Sequence, residues 1–197
     1  MLGDDAAVRA VKAGTALNLA GGQTAFSLIE TLTPGPDGVQ CDIATLKEFP
    51  GDLSSLTTSR TAFAGIDLSG PALMGVVNVT PDSFSDGGDF FDPARAIDHA
   101  LKLAEDGAAI VDIGGESTRP GADPMTVADE IARVLPVIEA AVAAGVTVSV
   151  DTRRAPVMEA AIAAGARIVN DISALTEDPD ALDIIARTDA SVILMHM

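Results

Sequence analysis

The sequence predicts an α/β fold: a (β/α)8 TIM barrel of which residues 71–197 supply the first five strands, behind a small extension at 1–70. Three observations predict it. From residue 72 onward, five short apolar runs alternate with four helical patterns. Such βα repetition implies parallel strands joined by right-handed crossovers. Each run also ends in polar residues: Asn78; Glu116 shortly after Asp112; Asp151; Asn170 and Asp171; His196. Polar side chains gathered at the carboxyl ends of strands are how barrels build their sites. Finally, no Gly-x-Gly-x-x-Gly follows the first run, which argues against a dinucleotide-binding sheet.

The elements follow in order. Residues 1–22 are Ala-rich and predict a short helix ending near Lys12, with Gly14, Gly21 and Gly22 interrupting the pattern. Phe26 to Leu32 alternates loosely as a strand would. Pro34-Gly35-Pro36-Asp37-Gly38 is a turn, and Val39 to Leu46 is the partner strand of a hairpin. Lys47 to Ser59 is loop with at most one helical turn. The five strands are then 72–77, 109–113, 146–150, 167–172 and 191–195. Leu73 to Val77 is rich in β-branched residues and predicts a buried strand. Pro93 to Glu105 is a helix capped by Asp92 with Pro at its first position, and Gly107 closes it. Thr126 to Ala144 carries Thr126, Asp129 and Glu130 near capping-box spacing and closes at Gly145. Ala155 to Ala164 ends at Gly165, and Pro179 to Arg187 is the last helix. A closed barrel needs eight strands. Strands six to eight lie beyond this sequence, so the chain alone is expected to expose strand five as an apolar edge and to associate.

Composition narrows the function. Hydrophobic residues make up 48% of the 197, enough for a core, while aromatics are 3% with no Trp or Tyr. The core must therefore come from Ala, Val, Ile and Leu, which suit close helix-on-sheet packing. A net charge of −17 argues against a nucleic-acid partner, whose binding rests on phosphate neutralisation. Cys41 is alone, so neither a disulfide framework nor a cysteine metal cluster is expected. No apolar run is long enough to span a membrane, and the first residues lack a signal-peptide core, which makes the cytoplasm the expected location.

The chemistry concentrates at the strand ends. Val76 to Gly88 passes from strand into a polar loop holding Asn78, Thr80, Pro81, Asp82, Ser83, Phe84, Ser85 and Asp86. A solvated loop would explain the glycines and carboxylates, but not Asn78 where the strand emerges or Phe84 mid-loop. After the second strand comes Asp112-Ile-Gly-Gly-Glu-Ser-Thr-Arg-Pro-Gly121, in which Gly114 and Gly115 are expected to allow a tight turn. Arg119 could grip a phosphate in bidentate fashion, or simply neutralise Glu116 or Asp112. Asp151 could accept two ring N–H donors from a heterocycle, or cap the helix behind it. Asn170 offers a donor and an acceptor on one amide, so Asp151 and Asn170 on adjacent strands could read a flat polar ring. Asp171 should face the other way along the pleat and support structure. Met195 could floor an aromatic ligand or fill core. Arg153 and Arg154 either add positive potential or start a helix facing water. His196 and His99 lack metal spacing; a hard cation on Asn78 and ligand phosphates suits these oxygen-rich loops better.

Four motifs carry a resemblance: NVTPDSFSDGG at 78–88, GGESTRPGA at 114–122, SVDTRR at 149–154 and VNDIS at 169–173. Together they resemble dihydropteroate synthase, of the pterin-binding barrel superfamily, across roughly residues 70–197. The leader, with LAGG at 19–22, loosely resembles the extension of alphaproteobacterial members. The resemblance implies that 6-hydroxymethyl-7,8-dihydropterin diphosphate is joined to p-aminobenzoate in folate biosynthesis. It implies Asn78 on a substrate-bound Mg2+, and Asp82, Ser83 and Phe84 on a first loop closing over p-aminobenzoate. Thr118, Arg119 and Pro120 would lie beside the pyrophosphate and p-aminobenzoate, and Asp151 and Asn170 would hold the pterin with Met195 against it. It also implies a sulfonamide target and, for the full-length protein, a homodimer. The family further uses an Asp, a Lys and an Arg-x-His pair from strands six to eight, beyond this sequence. Two alternatives remain: a truncated or non-catalytic pterin-binding paralogue, and a corrinoid-linked methyltetrahydrofolate methyltransferase, which shares the barrel but not NVTPDSFSDGG.

Overall fold

A computed structural model describes residues 4–80, 92–116 and 125–195. The chain divides into two compact units, Met1–Pro71 and Ala72–Met197.

In the first unit, α1 (Asp4–Lys12) packs on a short antiparallel pair, β1 (Leu17–Asn18) and β2 (Ala25–Phe26). Their shared core is small: Ala7, Ala16 and Ala25, flanked by Ala10 and Val11. A hairpin follows, β3 (Leu28–Gly35) with β4 (Gly38–Thr45), and α2 (Ser54–Thr57) is a single helical turn. The hairpin strands run further toward the turn than the sequence predicts. Pairing continues to Gly35↔Gly38, and Gly38 at φ +121° lets the chain reverse over two residues. Leu28, Leu32, Val39 and Ile43 are exposed, and Ile29 is the hairpin's buried apolar residue.

The second unit alternates strand and helix: β5 (Met74–Asn78), α3 (Pro93–Glu105), β6 (Ile110–Gly114), α4 (Val127–Ala143), β7 (Val148–Asp151), α5 (Ala155–Ala163), β8 (Ile168–Asp171), α6 (Ala181–Ala186) and β9 (Ser191–Leu194). The five strands form one parallel sheet in sequence order, with β5 and β9 at its edges. Local chemistry sets the helix limits. Asp92 accepts from the Ala94 N–H, with Pro93 at the first helical position. Thr126 caps the helix by accepting from the Asp129 N–H, and its hydroxyl donates to the Asp129 carboxylate at 2.6 Å. Gly107, Gly145 and Gly165 stop three helices at φ of +103°, +81° and +103°. α6 is shorter than expected, because the residues before it form a turn in which Asp178 serves α5 instead: its carboxylate accepts from the Ala155 N–H at 2.8 Å.

The core lies between one face of the sheet and the helices. Val77, Ile113, Val150 and Val169 stand side by side across four strands and meet Ala96, Ala100, Val134, Val137, Met158 and Ala161. Small side chains let the helices approach closely, as the composition required. The expectation of a buried first strand holds on one face only. Val77 and Val79 are buried, but Leu73 and Val76 are 67% and 50% exposed. Only one face of β5 meets helices, and as an edge strand it has a sheet neighbour on one side only. Among the described residues, no helix is long and apolar enough to cross a membrane.

Candidate functional site

Parallel register carries the carboxyl ends of the strands into one row. Asn78 pairs with Gly114, Gly114 with Asp151, Asp151 with Asn170, and Asn170 with Ile193. Paired residues in a parallel ladder share a face, so this row lies opposite the helix-facing core. Below it run Val76, Asp112, Ser149, Ile168 and Ser191. Asp151 and Asn170 are thus neighbours on one face, as their strand-end positions suggested, with Asn78 exposed at the far end of the row.

Gly114 and Gly115 act through space rather than through a turn. Neither has positive φ. A Cβ on Gly114 would stand 3.3 Å from the Asp151 Cβ and 3.4 Å from its Oδ2, so glycine makes room for that carboxylate. A Cβ on Gly115 would meet Val134 Cγ1 at 2.9 Å and Glu130 Cγ at 3.0 Å. Gly115→Ala should therefore cost about 1–3 kcal/mol by overpacking α4 against the strand end. Urea denaturation would measure it, and a cost below about 0.5 kcal/mol would mean that the helix gives way freely.

Acid groups crowd the row. Burial pushes the Asp151 carboxyl up to about 6, and the charges of Asp112, Asp171 and Glu130 add to the effect. The Asp151 carboxylate has no hydrogen bond or ion pair with another described residue. The helix-cap alternative is overturned: Arg154 is the N-cap of α5, and the free Ala155 N–H is met by Asp178. Asp112 is 2% exposed; burial raises its carboxyl, while the neighbouring Ser149 hydroxyl and the Asn170 amide hold it down. Asn170 Nδ2 donates to Asp112 Oδ2 at 2.8 Å. Sequence reasoning treated Asp112 only as a possible partner for an arginine. Its spacing of two from Gly114 along the strand was the available signal, since it sets both residues on one face.

Behind the row stands an ion-pair network. Arg154 reaches Glu116 at 2.6 Å and Glu130 at 3.1 Å, while Arg153 reaches Glu116 at 3.1 Å and Glu177 at 2.9 Å. The Thr152 hydroxyl donates to Glu130 at 2.7 Å, and Glu130 is 1% exposed. The reading of the two arginines is corrected in part: Arg154 does start α5 as its N-cap, but these glutamates hold the charge of both, and Arg153 stays partly exposed. The network ties together the segments that follow β6, β7 and β8. A cleft of about 10 Å³ lies beside it, lined by Glu116, Glu130, Asp151, Thr152, Arg153 and Ile172. A cavity of about 500 Å³ between α5 and α6 shares no lining residue with the row.

Asp171 faces away from the row and is fully buried, as the pleat predicts. Its carboxylate accepts from the Ser173 N–H and hydroxyl and from the Leu175 N–H. These bonds hold a turn in which Ala174 and Leu175 both take positive φ. Met195 follows the end of β9 and is 46% exposed, which excludes core filling in this unit. Asp82, Ser83, Phe84, Thr118, Arg119, Pro120 and His196 lie outside the described residues. Among the described residues, no three His, Cys, Asp or Glu side chains cluster as a metal site.

Sequence comparison sets this geometry in a family. The profile described as "Pterin binding enzyme" matches residues 74–197. The chain belongs to the pterin-binding enzyme family. Over 133 residues it is 50% identical to the dihydropteroate synthase of Escherichia coli K12, covering 67% of this chain and 47% of that protein. A Xanthomonas albilineans dihydropteroate synthase, solved with 4-aminobenzoic acid, superposes with a TM-score of 0.61 at 55% identity, covering 64% of this chain and 47% of that one. Against the probable bifunctional folylpolyglutamate synthase/dihydropteroate synthase of Halobacterium salinarum, identity is 44% over 169 residues, which are 86% of this chain and 20% of that protein. Residues 72–197 number fewer than 169, so this last match extends into the first unit. The chain spans about half the length of the dihydropteroate synthases from E. coli and X. albilineans. As a partial pterin-binding barrel it holds five parallel strands and their helices.

Proposed function

We propose that the protein to which this chain belongs is a dihydropteroate synthase, joining 6-hydroxymethyl-7,8-dihydropterin diphosphate to p-aminobenzoate. The observation that carries this reading is the pairing of Asp151 with Asn170 on one face of a pterin-binding barrel. Asp151 is a half-buried carboxylate with no partner of its own among the described residues. Ring N–H donors of a pterin would supply the partner that it lacks, and Asn170 Oδ1 would accept from the same ring.

In the reaction, the C–O bond to pyrophosphate breaks and the electron pair leaves with the diphosphate. The arylamine nitrogen then bonds to the methylene carbon and releases a proton. The carboxylate of Asp151 would favour the electron-poor pterin. Arg119 and Thr118 would hold the diphosphate, Pro120 with Asp82, Ser83 and Phe84 would enclose p-aminobenzoate, and Met195 would lie against the pterin. Asn78 fits Mg2+ as a single oxygen ligand: it is exposed at a strand tip, its side-chain amide is unbonded to other described residues, and Mg2+ commonly takes few protein ligands beside substrate phosphates. Bound there, the ion would neutralise charge on the leaving diphosphate. A cytoplasmic, homodimeric full-length enzyme belongs to the same reading.

The test is sulfonamide-sensitive dihydropteroate formation by the product of the complete reading frame. A correctly folded product without that activity would sink the proposal, and methyl transfer from methyltetrahydrofolate would replace it with the corrinoid-linked alternative. The site also predicts a pH dependence. The charged form of Asp151 accepts the ring donors, so pterin affinity should be full well above pH 6 and fall by up to about tenfold per unit below it. Calorimetry between pH 5 and 8 reads this directly, and a flat profile would remove Asp151 from the site.

A further inference from the structure

Asn170 can present either end of its amide to a ligand. A half-turn about its last side-chain bond swaps an acceptor for two donors at almost no steric cost. The proposed pterin site needs the acceptor, so something must select the rotamer. Asn170 Nδ2 lies 2.8 Å from Asp112 Oδ2. Turned over, the amide would set its oxygen against a carboxylate oxygen at that distance, two acceptors face to face. Asp112 sits in the row below Asn170, two strands away across Ser149. It is 2% exposed, and its Oδ1 has no hydrogen-bond partner. The Ser149 hydroxyl beside it is equally buried and likewise lacks an aligned bond. An acid with one aligned hydrogen bond is a costly way to fill this part of the sheet; an apolar residue would fill it more stably. What the acid does that an apolar residue cannot is hold the amide of Asn170.

We propose that Asp112 is a positioning residue that locks the Asn170 amide with nitrogen inward, so that Oδ1 and the Asp151 carboxylate together present acceptors to the ligand. This rests on the reading of Asp151 and Asn170 as the pterin-binding pair. Asp112 itself touches no ligand in this scheme. It decides the pattern that the row displays, acceptor beside acceptor, and so selects a ring edge bearing adjacent N–H donors over one bearing a carbonyl.

The test is a double-mutant cycle in the product of the complete reading frame, read by calorimetry with 6-hydroxymethylpterin as probe. Asn170→Ala and Asp112→Ala should each weaken binding by about tenfold or more, and the double variant should be no weaker than Asn170→Ala alone. Asp112→Asn should stay within about threefold of the parent, because its side-chain oxygen can still accept from Asn170 Nδ2 while its amide faces Ser149. Affinity for p-aminobenzoate should not change in any of them. Should Asp112→Ala fail to fold, Asp112→Ser makes the same measurement, its hydroxyl being too short to reach the amide. If Asn170→Ala leaves pterin affinity intact, the reading of the site itself is wrong. If Asn170→Ala weakens binding while Asp112→Ala does not, or if the two losses add, the site stands and the positioning role of Asp112 is overturned.

Discussion

Replacing Arg154 with alanine should destabilise the barrel unit by about 3–5 kcal/mol, the range for stripping one partner from a buried ion pair. Glu130 is 1% exposed on α4, and its carboxylate meets Arg154 at 3.1 Å and the Thr152 hydroxyl at 2.7 Å. Burial pushes the Glu130 carboxyl up, and Thr152 and then Arg154 hold it down. Without Arg154 the acid keeps its desolvation and loses its counter-charge. Glu116 would keep Arg153 at 3.1 Å, so the damage should centre on Glu130 rather than spread to every carboxylate of the network. The sign with pH follows. A carboxyl raised in the folded state binds protons there before it does in the unfolded chain, so stability rises as pH falls toward the unfolded value. The deficit of Arg154→Ala should therefore shrink in mild acid, as Glu130 takes up a proton and becomes a neutral hydrogen-bonding partner. Replacing both residues with apolar side chains of similar volume should recover much of the loss, since a buried pair rarely outperforms good packing. Urea denaturation at two pH values distinguishes these outcomes. A loss under about 1 kcal/mol at neutral pH would show that water or Arg153 takes over.

The barrel layout was legible because it depends on local signals that repeat. Asp92, Thr126, Gly107, Gly145 and Gly165 mark helix ends by short-range chemistry, and each acts where its sequence context placed it. The pairing of Asp151 with Asn170 was legible for a related reason. In a parallel sheet, residues at the carboxyl tips of adjacent strands fall into register, so position along the strand stands in for position in space. Asp112 was harder to see. Its importance comes from a bond to Asn170, 58 residues later and two strands away, and no local pattern encodes that distance. The partners of the arginines at 153 and 154 were missed for the same reason: the glutamates that hold them come from other segments, at 116, 130 and 177. The two glycines after Asp112 misled in another way. Glycine commonly marks a turn, but here it marks crowding, which only the packed neighbours reveal.

Asp151→Asn should raise the stability of the folded protein while removing its affinity for pterin. Burial and three neighbouring acids push the Asp151 carboxyl from its ordinary 3.8 up to about 6. A folded-state value above the unfolded one means that the charge is disfavoured by folding. The cost is absent below about pH 4, grows as pH rises through the window between the two values, and is complete above about 6. At about 1.4 kcal/mol per unit this amounts to at most about 3 kcal/mol at neutral pH. Asparagine has nearly the same size, carries no charge and removes that cost. The variant should therefore melt higher than the parent at pH 7, and the two should converge near pH 4. Binding should move the other way. A neutral amide cannot replace a carboxylate that accepts two ring donors, and pterin diphosphate affinity should fall by about 2–5 kcal/mol, as when one partner of a buried charged pair is lost. Affinity for p-aminobenzoate should change far less. Opposite shifts of melting temperature and affinity would show that the charge at 151 is kept for its ligand at the expense of the fold. If instead the variant melts lower and binds pterin as before, Asp151 supports the strand end and the ring is held elsewhere.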